Sequence, residues 1–211
     1  MRIVHCSATL LVVDKPSGLP AVPGRASGLQ DCVASRARAR WADALVVHRL
    51  DMATSGLMLM ARGPAAQRAL ARAFARREID KRYVAVVAGR MAREPGSGWA
   101  EIDLPLGADW PARPRQKVDP VHGKPSLTRY RVLDRQGDAG AARTRVELQP
   151  LTGRTHQLRV HLMAIGHPIV GDTLYAPAPS PSPRLLLHAT ALSFADPGDG
   201  RALSFESVAP F

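Results

Sequence analysis

Asp51 stands two residues after Arg49 in HRLDMATSG, residues 48–56, between two apolar stretches at 42–47 and 57–61. A carboxylate there is either one half of a turn stitched by an ion pair or a reactive group at the edge of a cleft. Three further features bear on that choice. Tyr83 follows two cations, Lys81 and Arg82, and Arg154 and Arg159 are spaced by THQL within LTGRTHQLRVHL, residues 151–162. Taken singly, each has a bland reading: a strand-edge tyrosine, or solvated arginines. Together they pair one carboxylate with arginines and an aromatic ring at widely separated positions. Such a set could work as a nucleophile or base with charge partners.

Other chemistries are absent from the sequence. It contains no GxxxxGK[ST], no GxGxxG and no GxSxG, which removes the usual signatures of phosphate-binding loops, dinucleotide sites and serine hydrolases. His156, His161, His167 and His188 cluster loosely, but HxxxxH does not set two imidazoles on one helix face. These histidines are expected to pack and hydrogen-bond, and no metal site is expected. Cys6 and Cys32 form no CxxC pair and no disulfide framework, which fits a reduced, cytoplasmic setting. No segment is long enough to span a membrane, so no membrane partner is expected.

The elements that must position these groups follow from periodicity and punctuation. A strand is predicted over 10–13, then a loop through KPSGLPAVPGR (15–25), where five prolines and glycines break regular structure. A helix is predicted over 31–41, a strand over 57–61, and a second helix over 65–78 with Pro64 in its first turn. On that helix Arg68, Arg72 and Arg76 recur at i, i+4, i+8 and share a face, while Leu70 and Phe74 share another. Strands are predicted over 83–87, 100–104, 126–133, 184–192 and 203–205. A half-buried strand over 143–148 would alternate Thr144, Val146 and Leu148 inward. A short helix is predicted over 156–165, ending at Gly166, and a surface loop over 176–183. The expectation is an α+β fold, with a mixed, largely antiparallel sheet flanked by a few helices.

The chain has 211 residues, 45% of them hydrophobic, with Lys+Arg 29 against Asp+Glu 18 and a net charge of +11. That balance favours a polyanionic partner, most often nucleic acid. Most of the excess is arginine, which a GC-rich genome also produces. It is concentrated, however, before residue 160.

HRLDMATSGLMLMA, KRYVAVV, LTGRTHQLRVHL and RLLLHA occur in this order, and the whole resembles the RluA-type pseudouridine synthases. LVVDKPSGLPAVPG and DWPARPRQKVDPVHGKPSLTRY extend the likeness over nearly the whole chain. The resemblance implies a single catalytic domain over 1–211, without the S4 RNA-binding domain of the family's larger members. It implies isomerisation of uridines in 23S rRNA and/or tRNA anticodon stem-loops, by a monomer that needs no cofactor, since no group is lost and no redox step occurs. By the same resemblance Asp51 is the catalytic carboxylate, Arg159 its pairing arginine, and Tyr83 the ring stacked on the target base. Arg49 would push into the space the flipped uridine vacates, and Ala53, Thr54, Ser55 and Gly56 would let RNA approach. Arg154, Gln157 and Leu187 would line the pocket. Arg68, Arg72, Arg76, Arg113, Arg115 and Lys117 would contact phosphates or be solvated. For His48, packing and phosphate contact stand level. The rival readings are a synthase for a different RNA uridine, a non-catalytic RNA-binding protein and a metal-dependent hydrolase.

Overall fold

The computed structural model describes residues 1–24, 30–137, 142–177 and 182–211. Part of the loop expected at 176–183, and Arg25 at the end of the loop expected at 15–25, lie outside the described residues. The elements are β1 (Arg2–Cys6), β2 (Leu10–Lys15), α1 (Val33–Arg40), β3 (Ala44–Val46), β4 (Ser55–Arg62), α2 (Gly63–Arg76), β5 (Asp80–Ala88), β6 (Ala100–Asp103), β7 (Leu106–Ala108), β8 (Gln116–Val118), β9 (Leu127–Gln136), β10 (Arg143–Pro150), α3 (Gln157–Ala164), β11 (Leu187–Ala195) and β12 (Ala202–Glu206). The fold is α+β with a mostly antiparallel sheet, as expected. The chain divides into two compact units, Met1–Lys81 with His188–Pro210, and Arg82–Leu187 with Phe211.

In the first unit β4 is the centre. It pairs antiparallel with β2 and β3 and parallel with β11, and β11 pairs antiparallel with β12. Flanked on both edges and covered on both faces, seven of its eight residues are buried, which is why it reads as a continuous apolar run rather than an alternation. Leu57, Leu59 and Ala61 pack with Leu10, Val12, Leu192 and Phe194, and with Ala66 and Leu70 of α2. Helix α2 starts with Pro64 in its first turn and leaves Arg68, Arg72 and Arg76 exposed. It stops two residues earlier than the propensity suggests, because Arg77 turns left-handed at φ 62° and the Glu78 N–H closes on the Ala73 carbonyl.

In the second unit β10 pairs antiparallel with β5 on one side and β9 on the other, and β6 extends β9. β10 buries Thr144, Val146, Leu148 and Pro150 in strict alternation. β7 and β8 form a separate antiparallel pair. α3 packs against β8, β9 and β10, and Val160 joins Leu106 and Tyr175 in a small core. β1, β7 and β8 were not foreseen, and β11 begins three residues later than expected.

Candidate active site

The HRLD segment forms the connection from β3 to β4. Its turn is closed by the Thr54 N–H donating to the Asp51 carbonyl at 3.1 Å, and Asp51 itself is half-buried. The brace comes from the KPSG stretch. Lys15 has no exposed surface, and its Nζ donates to the carbonyls of Pro16 (3.0 Å), Leu19 (2.8 Å) and Met52 (3.0 Å). A buried ammonium is tolerable when its three N–H groups find acceptors, and here they do. The Gly18 N–H reaches the same Met52 carbonyl at 2.8 Å, and Ser17 Oγ donates to the Ala53 carbonyl at 2.7 Å. The residues on the C-terminal side of Asp51 are therefore pinned through their backbone. Lys15 was missed as a site residue, since a sequence gives a lysine no mark of burial.

The small residues after Asp51 need a correction. Thr54 and Ser55 are buried, and a Cβ on Gly56 (φ +107°) would lie 2.3 Å from the Ala189 carbonyl oxygen. Ser55 and Gly56 are small because β4 and β11 come together there, at the pairs His188–Ser55 and Ala189–Gly56, not to admit RNA. Ser55 Oγ lies 2.9 Å from His188 Nδ1, His188 Nε2 lies 3.1 Å from Ser207 Oγ, and Ser207 donates to Asp14. Arg49 is exposed. His48 faces inward: its Nε2 accepts from the Leu59 N–H at 2.8 Å, and its ring lies 4.7 Å from that of Phe74. Burial first, and then the Lys81 charge, push its pKa down to about 3. The ring is thus a neutral packing element rather than a cation offered to phosphate.

The second unit carries Tyr83 and Arg159. Tyr83 is buried on β5 opposite Leu148 of β10. Arg159 lies on α3, where residues 157–162 are all buried. Its Nε and one terminal nitrogen donate to the two oxygens of Asp172, each at 2.8 Å. That forked geometry fixes a guanidinium in the plane of its carboxylate partner. The other lone pairs of Asp172 Oδ1 accept the Leu174 and Tyr175 N–H groups. Tyr175 places its ring 5.1 Å from the Arg159 guanidinium, and its hydroxyl accepts the Gln116 N–H at 2.7 Å. Asp172 drew no attention in the sequence because it is 13 residues from its partner and sits in no charged run.

Gln157 needs a second correction. It is buried, its Oε1 accepts from Thr152 Oγ1 and the Arg154 N–H, and its Nε2 donates to the Leu127 carbonyl and Thr128 Oγ1. With all four hydrogen bonds made inside the protein, it braces the turn before α3 and has none left for RNA. Arg154 is exposed, with Nε on the Pro125 carbonyl, and Leu187 is buried. His156, His161 and His167 also bond within the fold. His161 bonds Thr128 and the Leu104 carbonyl, and burial chiefly lowers its pKa; His156 bonds Tyr175 and His167 the Ala88 carbonyl. Among the described residues no group of His, Cys, Asp or Glu is arranged to hold a metal ion. Among the described residues no helix is long and apolar enough to cross a membrane. Arg113, Arg115 and Lys117 are exposed.

Three kinds of likeness bear on these two regions. A family model described as RNA pseudouridylate synthase matches residues 9–164. The dual-specificity RNA pseudouridine synthase RluA of Escherichia coli K12 is 48% identical over 211 residues, which cover 99% of this chain and 93% of that one. Its counterpart from Yersinia pestis is 46% identical over the whole of both chains. Among solved structures, human RNA pseudouridylate synthase domain containing 1 superposes with a TM-score of 0.80 at 32% identity, covering 100% of this chain and 84% of that one. Human RNA pseudouridylate synthase domain containing 4, at 24% identity, shares the fold with a TM-score of 0.75 over 99% of this chain and 88% of its own.

Proposed function

This chain belongs to the RNA pseudouridylate synthase family, and from that premise we propose which of its residues perform the isomerisation and on which RNAs. The reaction detaches uracil from C1′ of the ribose, turns it and reattaches it through C5. It needs one nucleophile or base, a partner that keeps that group charged, and access to a base that is normally stacked.

Asp51 is the reacting carboxylate, either attacking C1′ or removing the C2′ proton. The observation that carries this assignment is the pinning of its turn by Lys15, Ser17 and Gly18. A carboxylate that must meet one atom of a substrate needs its backbone held, since small displacements are costly in rate. Arg159 supplies the compensating charge, and its lock on Asp172 supports a fixed rather than a searching guanidinium. Tyr83 presents its ring to the target base, and its hydroxyl takes the C5 proton. Arg49, exposed beside the turn, enters the space left by the flipped uridine, an excursion that costs a few kcal/mol, at the order of magnitude, and that a planar guanidinium can offset by stacking.

The substrates are uridines of 23S rRNA and of tRNA anticodon stem-loops, in keeping with the dual-specificity relatives. The exposed Arg68, Arg72 and Arg76 of α2, with Arg113, Arg115, Lys117 and Arg154, contact phosphates, so binding weakens steeply with salt. The protein works in the cytoplasm as a monomer.

The test is position-resolved pseudouridine mapping. Purified protein is incubated, without added metal or cofactor, with unmodified 23S rRNA fragments and a set of anticodon stem-loops, and Asp51→Ala is run beside it. Pseudouridine at defined positions in both RNA classes, absent with the variant, is the expected result. Product formation by Asp51→Ala would overturn the catalytic assignment. Tight, salt-sensitive binding with no product from the parent would make the chain an RNA binder.

A further inference from the structure

We infer that the loop from Asp109 to Lys117 carries a stacking site for an RNA base, with the outer face of Trp110 as its floor. This rests on RNA being the substrate, and the base in question is a neighbour of the target uridine rather than the target.

Trp110 is 67% exposed, an unusual position for so large an apolar ring. The chain's other tryptophans are half-buried. Trp99 is spent on internal contacts, with the Arg82 and Arg131 guanidinium groups each 4.9 Å from its centroid. Trp110 has the Arg113 guanidinium 3.5 Å from its ring centroid, a stacking distance, and with that contact made the residue is still 67% exposed. A π face backed by a cation and open on one side is the arrangement on which an unpaired base stacks.

The main chain of the loop that carries the ring is held by its own hydrogen bonds. The Asp109 N–H donates to the Arg115 carbonyl (3.0 Å), Ala112 N–H to the Asp109 carbonyl (3.2 Å), and Arg115 N–H to the Ala112 carbonyl (3.0 Å). β8 follows at once and is paired with β7. A platform fixed before binding loses little entropy when a base lands on it. The surroundings suit a nucleotide more than a protein side chain. Arg113, Arg115 and Lys117, close in sequence to Trp110, are exposed, a cationic stretch suited to the phosphates on either side of a stacked base.

The loop is also fastened to the residues that hold Arg159. The Gln116 N–H donates to the Tyr175 hydroxyl, and the Arg115 guanidinium lies 5.5 Å from the Tyr175 ring. The Arg159 guanidinium also lies 5.1 Å from the centroid of that ring, and Asp172 bonds both Arg159 and the Tyr175 N–H. One tyrosine thus serves as the joint between a proposed catalytic arginine and the platform.

The experiment measures binding of an unmodified tRNA anticodon stem-loop by filter retention and by tryptophan fluorescence, together with single-turnover pseudouridine formation with the protein saturating and in excess over RNA. The parent should lose tryptophan emission on binding, and Trp110→Phe should lose most of that change while keeping much of the affinity. Trp110→Ala should raise Kd about tenfold, the size of one lost base–aromatic stack, with an unaltered thermal melt because the ring is exposed. The rate at saturation should fall less than the affinity. Equal Kd for the parent and both variants, with the parent still making pseudouridine, would overturn the platform and leave the synthase reading intact. A parent that neither binds nor modifies the stem-loop would remove the substrate reading and the platform with it.

Discussion

The turn that carries Asp51 and the helix that carries Arg159 are braced by different chemistry. Around Asp51 the contacts go to main-chain carbonyls: Lys15 and Gly18 hold the Met52 carbonyl, and Ser17 holds that of Ala53. Around Arg159 the contacts go to the side chain itself, through two hydrogen bonds to a buried carboxylate. In the first case these contacts hold the main chain that follows position 51. In the second the functional group is also a structural member, and removing Asp172 breaks a buried, forked ion pair. A reactive group and a charge-compensating group are thus supported in ways that should separate cleanly when each is mutated.

The largest effect is expected at Asp51. Asp51→Ala should lower pseudouridine formation on the order of 10⁴-fold or more, as loss of a nucleophile or base does elsewhere, while the melting temperature moves little. A drop in stability as large as that caused by an Asp172 variant would break the contrast. Asp172→Ala should cost about 3–5 kcal/mol of stability, the penalty for stripping one partner from a buried ion pair, read from urea unfolding curves. Activity should fall with it. An Asp172→Ala protein as stable as the parent would mean that the fork carries no structural load.

Lys15→Met tests the backbone brace from the other direction. The side chain keeps its volume but loses three hydrogen bonds, so about 1–3 kcal/mol should be lost. The more telling readout is kinetic. With the turn no longer pinned, kcat should fall about 100-fold while RNA affinity stays near that of the parent. A rise in Kd with kcat unchanged would show instead that Lys15 supports the binding surface.

The difference between the two braces also explains what the sequence discloses. Period-two burial in β10 and the i, i+4 arginines of α2 are local patterns, and they are legible because the residues that create them are neighbours in the chain. The fold class and the family follow from motifs of the same local kind. Lys15 and Asp172 are not legible in that way. One counts as a surface cation until three carbonyls from two loops close on it, and the other is an unremarkable acid until α3 brings Arg159 to it. Gln157, Thr54, Ser55 and Gly56 lie within the motifs, yet burial turns them from RNA contacts into internal packing. The three-residue strands β7 and β8 escape notice because each is held by its partner rather than by its own propensity.

His48 offers the smallest and most conditional effect, and it probes the inward packing of the HRLD segment. Its pKa stands near 6.5 in the unfolded chain and about 3 in the fold. Below pH 6.5 the unfolded chain therefore binds a proton that the folded chain refuses. The contribution of the neutral ring to stability is complete above that pH and is lost progressively as pH falls toward 3, by up to about 1.4 kcal/mol per unit. His48→Gln keeps an acceptor for the Leu59 N–H and cannot titrate. The stability of the parent relative to this variant should therefore shrink as pH is lowered from 7 to 4 in paired denaturation series. The same variant should leave the slope of RNA affinity against salt unchanged, because a neutral imidazole releases no counterion. A pH-independent stability difference, or a shallower salt slope, would return His48 to the phosphate-contacting surface beside Arg49.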